Sequence, residues 1–386
     1  MKRLVVVQPY IPRYRTAFYA QAGEALANKD IELEVVVGRT DSSRADGDAD
    51  FPAILSRDLL ESTSRGRLRY RPLRAVGATT ADLLVLEQAI KNLDGYLPLL
   101  RRRLGSPAVA LWGHGRSYSS TQSSTAARLK QWMTRRSDWF FAYTPSGAQD
   151  VMRHGFPPDR VTILYNTIDA ESLARDLKAT TGSEVARFQA EHDVDPRYCA
   201  LFLGGVDSLK AVDFLVESVR AAHRLEPRFR LLIAGSGADA SKVAALQRAG
   251  LPVRVLGRVD GRAKALALKS AQVLPIPSQL GLVVVDSLAS GVPIVTREAS
   301  LHGPEAEYLT PGTDSVWLSR RATPGEYAAA VIALLKDQPR HAAMAQACLD
   351  RAHDYPLSRM VTSFVEGVDQ WTRAPRRRAQ GTRACV

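Results

Sequence analysis

The chain has 386 residues, too many for one typical hydrophobic core, so two domains are expected. With 45% hydrophobic and 24% charged residues it has the balance of a soluble globular protein, which excludes a chain too polar to fold. A net charge of +12 fits anionic partners: nucleic acid, a membrane surface or phosphate-bearing substrates.

Cys199, Cys348 and Cys385 follow no zinc or disulfide spacing, which points to a reducing compartment. The apolar run after Met1-Lys2-Arg3 is only Leu4 to Val7, too short for a signal core. No later stretch approaches the roughly 18 apolar residues of a membrane span. The expected location is cytoplasmic, at most peripheral at the inner face of the membrane.

Leu4–Val7 reads as a buried parallel strand, followed by a loop from Gln8 to Arg15 and a helix from Thr16 to Lys29. Leu33–Val37 is a second strand ending at Gly38. Strand, loop, helix and strand in this order predict a doubly wound α/β domain, where ligands sit beyond the carboxyl ends of strands. Arg13 and Arg15 are therefore candidates to meet an anionic acceptor. Asp46-Gly47-Asp48-Ala49-Asp50 lies in a Ser/Asp/Gly-rich stretch and reads as a solvated loop rather than a metal site.

Leu83–Leu86 predicts another strand, and Leu93–Leu104 a helix ending in Arg101-Arg102-Arg103, a foothold for anionic lipid or simple dipole compensation. Ala108–Trp112 is a strand running into Gly113-His114-Gly115, and a histidine between two glycines at a strand end is a candidate ligand contact. A basic helix (Thr125–Arg136), a strand (Trp139–Tyr143), a helix (Ser146–His154) and a strand (Val161–Leu164) follow, ending in Tyr165-Asn166-Thr167-Ile168-Asp169. Residues 170–197 are charged, helical in pattern and read as a linker.

A second α/β series starts at Ala200–Leu203, which leads into Gly204-Gly205-Val206-Asp207-Ser208-Leu209-Lys210 and a helix to about Arg224. Leu231–Ala234 runs into Gly235-Ser236-Gly237, and a helix (Ala240–Ala249), a strand (Val253–Leu256), a helix (Gly261–Ser270) and a strand (Val273–Ile276) continue the alternation. Pro277 to Thr296 then reads as a loop, a short helix and a glycine turn into a strand. Pro277-Ser278 and Gly281 at a helix entrance make an anion site, while Gly291 and Pro293 end the helix. A last helix, Leu357–Trp371, precedes a basic tail, Arg373–Arg383.

No Gly-x-Gly-x-x-Gly follows the first strand and no Gly-x4-Gly-Lys-Ser/Thr occurs, so a nicotinamide dehydrogenase or a P-loop nucleotidase is excluded. Gly-x-Ser-x-Gly is missing too, as is any helix-turn-helix or zinc-finger pattern, so neither a hydrolase triad nor a nucleic-acid partner is expected.

The order of motifs resembles the GT-B glycosyltransferases, specifically retaining family four (glycosyl transferases group 1). The pieces are Gln8 to Arg15, Leu111-Trp112-Gly113-His114-Gly115, Tyr165 to Asp169, Gly204 with Lys210, and Pro277 to Thr296 with His302-Gly303-Pro304-Glu305. The resemblance implies two Rossmann-like domains facing a cleft: an acceptor-binding domain over 1–185 and a nucleotide-sugar-binding domain over 186–355. The helix over 356–372 is a candidate to pack back on the first domain, and 373–386 is the tail. It implies transfer of a sugar, with retention, from a nucleoside-diphosphate sugar to a saccharide, lipid-linked or small-molecule natural-product acceptor, without metal or other cofactor.

By the same resemblance, Lys210 holds the diphosphate together with Gly204 and Gly205, and Ser278, Gly281 and Leu282 line the donor loop. Asp286 accepts from the ribose and His114 sits near the reacting sugar. Ser278 and Asp286 stand where the family usually has two glutamates, and Gly205 stands where it usually has an arginine. Arg258, Arg262, Lys264 or Arg297 are candidates to replace that arginine. The alternatives are a GT-B nucleotide-sugar epimerase and a decayed transferase that only binds an anionic polymer or membrane.

Overall fold

A computed structural model describes residues 1–38, 54–56, 60–62, 68–101, 107–115, 124–298 and 302–375. The chain divides into two units, Met1–Asp169 with Leu357–Val386 (unit 1) and Ala170–Pro356 (unit 2).

Unit 1 contains β1 (Lys2–Gln8), α1 (Arg13–Ala27), β2 (Ile31–Gly38), β3 (Ile54–Ser56), β4 (Leu60–Ser62), β5 (Leu68–Tyr70), β6 (Leu83–Glu87), α2 (Tyr96–Arg101) and β7 (Ala108–Gly113). It continues with α3 (Ser124–Arg136), β8 (Trp139–Ala142), α4 (Pro145–Arg153) and β9 (Val161–Ile163). A seven-stranded parallel sheet has the order β3-β2-β1-β6-β7-β8-β9. Leu4–Val7 and Val109–Trp112 are buried to within 1% because the sheet is covered on both faces, which is why these strands read as continuous apolar runs.

Unit 2 opens with α5 (Ala170–Ala179) and α6 (Gly182–Glu191), then β10 (Cys199–Leu203), α7 (Val212–Leu225), β11 (Arg230–Ala234), α8 (Ala240–Arg248), β12 (Val253–Gly257) and α9 (Gly261–Ser270). β13 (Leu274–Pro275), α10 (Val283–Ser290), β14 (Ile294–Arg297), β15 (Ser315–Leu318), α11 (Pro324–Lys336) and α12 (Gln338–Ala352) complete it. Two three-stranded parallel sheets meet through a bridge between Ala200 and Val273, which gives the strand order β12-β11-β10-β13-β14-β15. The order reverses direction between β10 and β13, as it does between β1 and β6 in unit 1. In doubly wound sheets the loops part at such a point and leave a crevice.

Several sequence expectations change. Residues 170–197 are not a free linker: α5 and α6 pack on α9, and α5 also on α10. A capping box starts α6, with Thr181 accepting from the Glu184 N–H and the Glu184 carboxylate accepting in return. Gln8 to Arg15 is not all loop, because α1 begins at Arg13 behind an extended Pro12. β15, α11 and α12 were not anticipated, although Thr323-Pro324 with Glu326 is a complete capping box.

The last helix, α13 (Leu357–Arg373), packs against α1 and the ends of β8 and β9. Phe364 meets Phe18, Trp112 and Phe141 with ring centroids 5.1–5.5 Å apart. Among the described residues no helix is long and apolar enough to cross a membrane. Cys199 and Cys348 are buried free thiols, and Cys385 lies outside the described residues. So do Asp46–Asp50, Arg102, Arg103 and the tail beyond Pro375.

Gly367 lets α13 come close to the sheet: a Cβ there would stand 2.4 Å from Thr162 Oγ1 and 2.8 Å from Phe141 Cε1. Gly367→Ala is therefore expected to lose about 1–3 kcal/mol by overpacking despite the better helix propensity of alanine, read as a lower midpoint in chemical denaturation.

Candidate functional site

The residues singled out in the sequence fall into two groups, one in each unit. In unit 2 the loops after β10 and β13 flank the reversal point of the sheet. Gly204 has φ +142°, and its carbonyl lies where a Cβ on Gly235 would be only 1.8 Å away. A Cβ on Gly237 would likewise stand 2.3 Å from the Val206 carbonyl. Gly235-Ser236-Gly237 is thus a platform for the Gly204–Val206 backbone, fixed by the Val206 N–H bond to Ser236 O at 2.9 Å.

Beyond Gly205, the Asp207 carboxylate accepts from the N–H groups of Leu209 and Lys210, winding a short turn that aims Lys210 back over Gly204. A Cβ on Gly204 would stand 3.7 Å from Lys210 Cε, so the lysine stem lies along the glycine. The Lys210 ammonium donates to the Gln279 carbonyl in the other loop. Burial lowers its pKa, with Asp207 and the buried Glu305 opposing that drop.

The second loop carries half-buried Ser278, Gly281 and Leu282 into α10. A Cβ built on Gly281 meets nothing within 4 Å, so this backbone faces open space. In the first turn of α10 the Val284 and Val285 N–H groups donate to the Gly281 and Leu282 carbonyls, and the helix ends at Gly291 in the left-handed conformation, φ +70°. Asp286, in the first turn, is buried and ion-paired with Lys264, though its Oδ1 makes no well-angled hydrogen bond. Burial raises the Asp286 pKa and Lys264 counters it.

The four cations considered as substitutes for the family's arginine are all engaged. Arg258 pairs with Asp260, Arg262 with Glu184 and Lys264 with Asp286. Arg297 donates to the Pro277 carbonyl and lies 3.6 Å over the Phe214 ring.

In unit 1, Arg13 and Arg15 have different places. Arg13 is exposed in the first turn of α1, whereas Arg15 is 5% exposed. The Arg15 guanidinium donates to Asn166 Oδ1, to the Thr167 carbonyl at 3.4 Å and to Met360 Sδ at 3.0 Å. The Tyr165–Thr167 motif therefore ties α1 to the end of β9 and to α13.

His114 is brought to the carboxyl end of β7 between two tightly packed glycines, Gly113 and Gly115, with Gly147 of α4 against its own carbonyl. A Cβ on Gly113 would meet Gln88 Cβ at 2.6 Å, and one on Gly115 would meet the Gly147 carbonyl at 2.2 Å. These glycines serve packing against the β6 loop and α4, not only approach to a ligand. The histidine itself is exposed, its ring 4.6 Å from that of Tyr143. Dense protein around the ring, with Lys130 adding like charge, pushes its pKa down to about 4. Water at the exposed edge limits that drop, but its direction leaves a neutral imidazole at pH 7.

Next to Gly115 lies a cavity of about 280 Å³ lined by Lys130, Gln131, Thr134, Arg135, Asp150 and His154 among others. Burial lowers the Lys130 pKa to about 8, with Asp150 and Glu87 opposing. Lys130 and Glu87 were not singled out in the sequence. Glu87 follows the apolar run Leu83–Leu86 directly, at a strand's carboxyl end, which was the available signal. Lys130 gave none, as one cation in a basic helix.

The family described as Glycosyltransferase Family 4 matches residues 18–172, and Glycosyl transferases group 1 matches residues 197–337. Over 239 residues the chain is 28% identical to the D-inositol 3-phosphate glycosyltransferase of Stackebrandtia nassauensis, covering 57% of this chain and 52% of the relative. Over 131 residues it is 32% identical to the phosphatidyl-myo-inositol mannosyltransferase of Mycobacterium leprae, covering 31% and 34%. The chain spans about half the length, or less, of these curated relatives.

Among solved structures, Anabaena Alr3699/HepE in complex with UDP and glucose superposes with a TM-score of 0.70 at 16% identity, covering 96% of this chain and 99% of that one. Sucrose-phosphate synthase from Thermosynechococcus elongatus gives 0.71 at 15% identity, covering 97% and 100%. The chain thus has the GT-B fold, with a match to Glycosyltransferase Family 4 lying mostly in unit 1 and a match to Glycosyl transferases group 1 in unit 2.

Two outcomes follow. Arg15→Lys keeps the charge but not the guanidinium fork, and is expected to lower unit 1 stability by about 1–3 kcal/mol in denaturant titrations, while Arg13→Lys leaves it unchanged. NMR titration should find the His114 ring neutral from pH 8 down to about 6. The Lys130→Met variant should move its midpoint upward, because a cation that disfavours protonation is gone.

Proposed function

We propose that the protein is a glycosyltransferase that moves a sugar from a nucleoside-diphosphate sugar to a hydroxylated acceptor bearing an anionic group. The observation that carries this reading is the convergence of Lys210, Gly204 and the Gly281–Leu282 backbone at the reversal point of the unit 2 sheet. A diphosphate laid there gains a lysine point charge and the N-terminal end of α10. Gly205 beside it leaves room, and Asp286 with Lys264 forms the wall on which the ribose rests.

The chemistry is then heterolysis of the bond between the sugar's anomeric carbon and the phosphate oxygen. The electron pair leaves with the nucleoside diphosphate, whose growing charge Lys210 and the helix end stabilise. The acceptor hydroxyl adds to the anomeric carbon from the face the phosphate leaves, and its proton passes to the departing phosphate oxygen, so configuration is retained. In this reading His114, neutral at pH 7, hydrogen-bonds a sugar hydroxyl. Charge neutralisation by Lys210 and α10 makes a divalent cation unnecessary.

For the acceptor, the cavity beside His114 supplies Lys130, Arg135 and His154 against the single carboxylate Asp150. Such a lining favours a phosphate-bearing polyol, in keeping with the inositol phosphate and phosphatidylinositol named for the relatives. Arg13 is a second cation available to an anionic acceptor group, and Arg15 holds the start of α1 in place.

The test is a panel of nucleotide sugars, with release of the nucleoside diphosphate measured with and without inositol phosphates. A donor is expected to turn over only when an acceptor is present, and EDTA is expected to leave the rate unchanged. Lys210→Ala is expected to lower kcat/KM by about 10²–10³-fold in a folded protein. Isomerisation of the donor without acceptor would establish an epimerase instead, and failure to bind any donor would leave a binding protein only.

A further inference from the structure

We infer that His302 is a positioning residue whose neutral ring, carrying its proton on Nε2, fixes the Leu280 peptide and so the shape of the loop that receives the donor. It rests on the donor site proposed above, but its geometry is independent of any ligand.

Both ring nitrogens of His302 face backbone groups that allow one role each. Nδ1 lies 3.1 Å from the Leu280 nitrogen, whose N–H can only donate. Nε2 lies 2.8 Å from the Arg297 carbonyl, which can only accept. These partners assign the proton to Nε2. His302 is 8% exposed and stands edge-on to Trp317 at 5.1 Å between centroids, so its orientation is fixed by packing as well. Burial lowers its pKa, the bond to Arg297 O opposes that drop, and the nearby Lys210 ammonium adds to it, which favours the neutral ring.

The next residue completes the clamp. The Gly303 N–H donates back to the Leu280 carbonyl at 2.8 Å, so the N–H and C=O of Leu280 are both held by residues 302 and 303. A Cβ on Gly303 would stand 2.9 Å from that same carbonyl and 2.9 Å from Glu305 Oε2, so only glycine lets the two segments approach. Lys210 holds the Gln279 carbonyl and His302 the Leu280 N–H, the two polar groups of one peptide unit, so His302 fixes that plane from the side opposite the lysine while Gly303 holds the next carbonyl, directly before Gly281. Leu280 is 1% exposed, so no solvent water replaces the lost acceptor if the ring is removed.

The two ring nitrogens can be separated by substitution. His302→Asn places an amide oxygen near the Nδ1 position and keeps an acceptor for Leu280, while losing the bond to Arg297. His302→Gln keeps a donor for Arg297 and loses the acceptor. Affinity for UDP, GDP and ADP by calorimetry should fall, and the donor KM rise, about tenfold in the Gln variant and by no more than about threefold in the Asn variant. The Leu280 amide, followed by hydrogen exchange in unliganded protein, should exchange faster in the Gln variant than in the Asn variant.

Equal effects of the two substitutions on both readouts would overturn the positioning role, as would unchanged Leu280 exchange in the Gln variant. If the unsubstituted protein binds no nucleotide, the donor reading fails, and the exchange measurement still decides whether His302 holds the loop.

Discussion

The structure of unit 2 depends on a loop crossing that a single side chain completes. At the reversal between β10 and β13 the two outgoing loops must part, because their helices lie on opposite faces of the sheet. The gap would leave a lysine and a row of peptide groups facing one another at partial burial. Lys210 spans it by donating to Gln279 O, and the negative charges of Asp207 and Glu305 offset part of the cost of its desolvation. A cation held this way is already in position for an anion and need not be ordered when one arrives.

The same economy appears in the backbone. Gly235 and Gly237 sit under Gly204 and Val206, and Gly303 sits under Leu280, at separations that no side chain tolerates. Close peptide packing of this kind turns two loops into parts of the scaffold. What remains open is the Gly281 backbone, where a Cβ would meet nothing. In unit 1 the glycines around His114 act likewise: Gly113 and Gly115 seat the strand end against Gln88 and Gly147, and the ring of His114 is presented on a fixed base.

The replacement of the family's first glutamate by Ser278, and of its arginine by Gly205, takes on a different meaning in this setting. Arg258, Arg262, Lys264 and Arg297 each have a carboxylate, a carbonyl or an aromatic ring as a neighbouring partner. In the proposed donor site the positive field comes from Lys210 and the entrance of α10, and the shape of that entrance from His302.

Most of the architecture was legible in the sequence, because strands buried on both faces must be continuous apolar runs, as Leu4–Val7 and Leu201–Leu203 are. The loop after Ile276, the short helix and the left-handed Gly291 followed from local turn chemistry in the same way. Tertiary structure alone decided which polar residues look inward. Arg13 and Arg15 are alike in sequence, yet one is exposed and the other holds Asn166 from 151 residues away. Lys130 comes to His114, and His302 to Leu280, through chain crossings that no local pattern records. Periodicity reports the environment of a residue's own segment, whereas a hydrogen bond between distant segments depends on where the sheet order carries them.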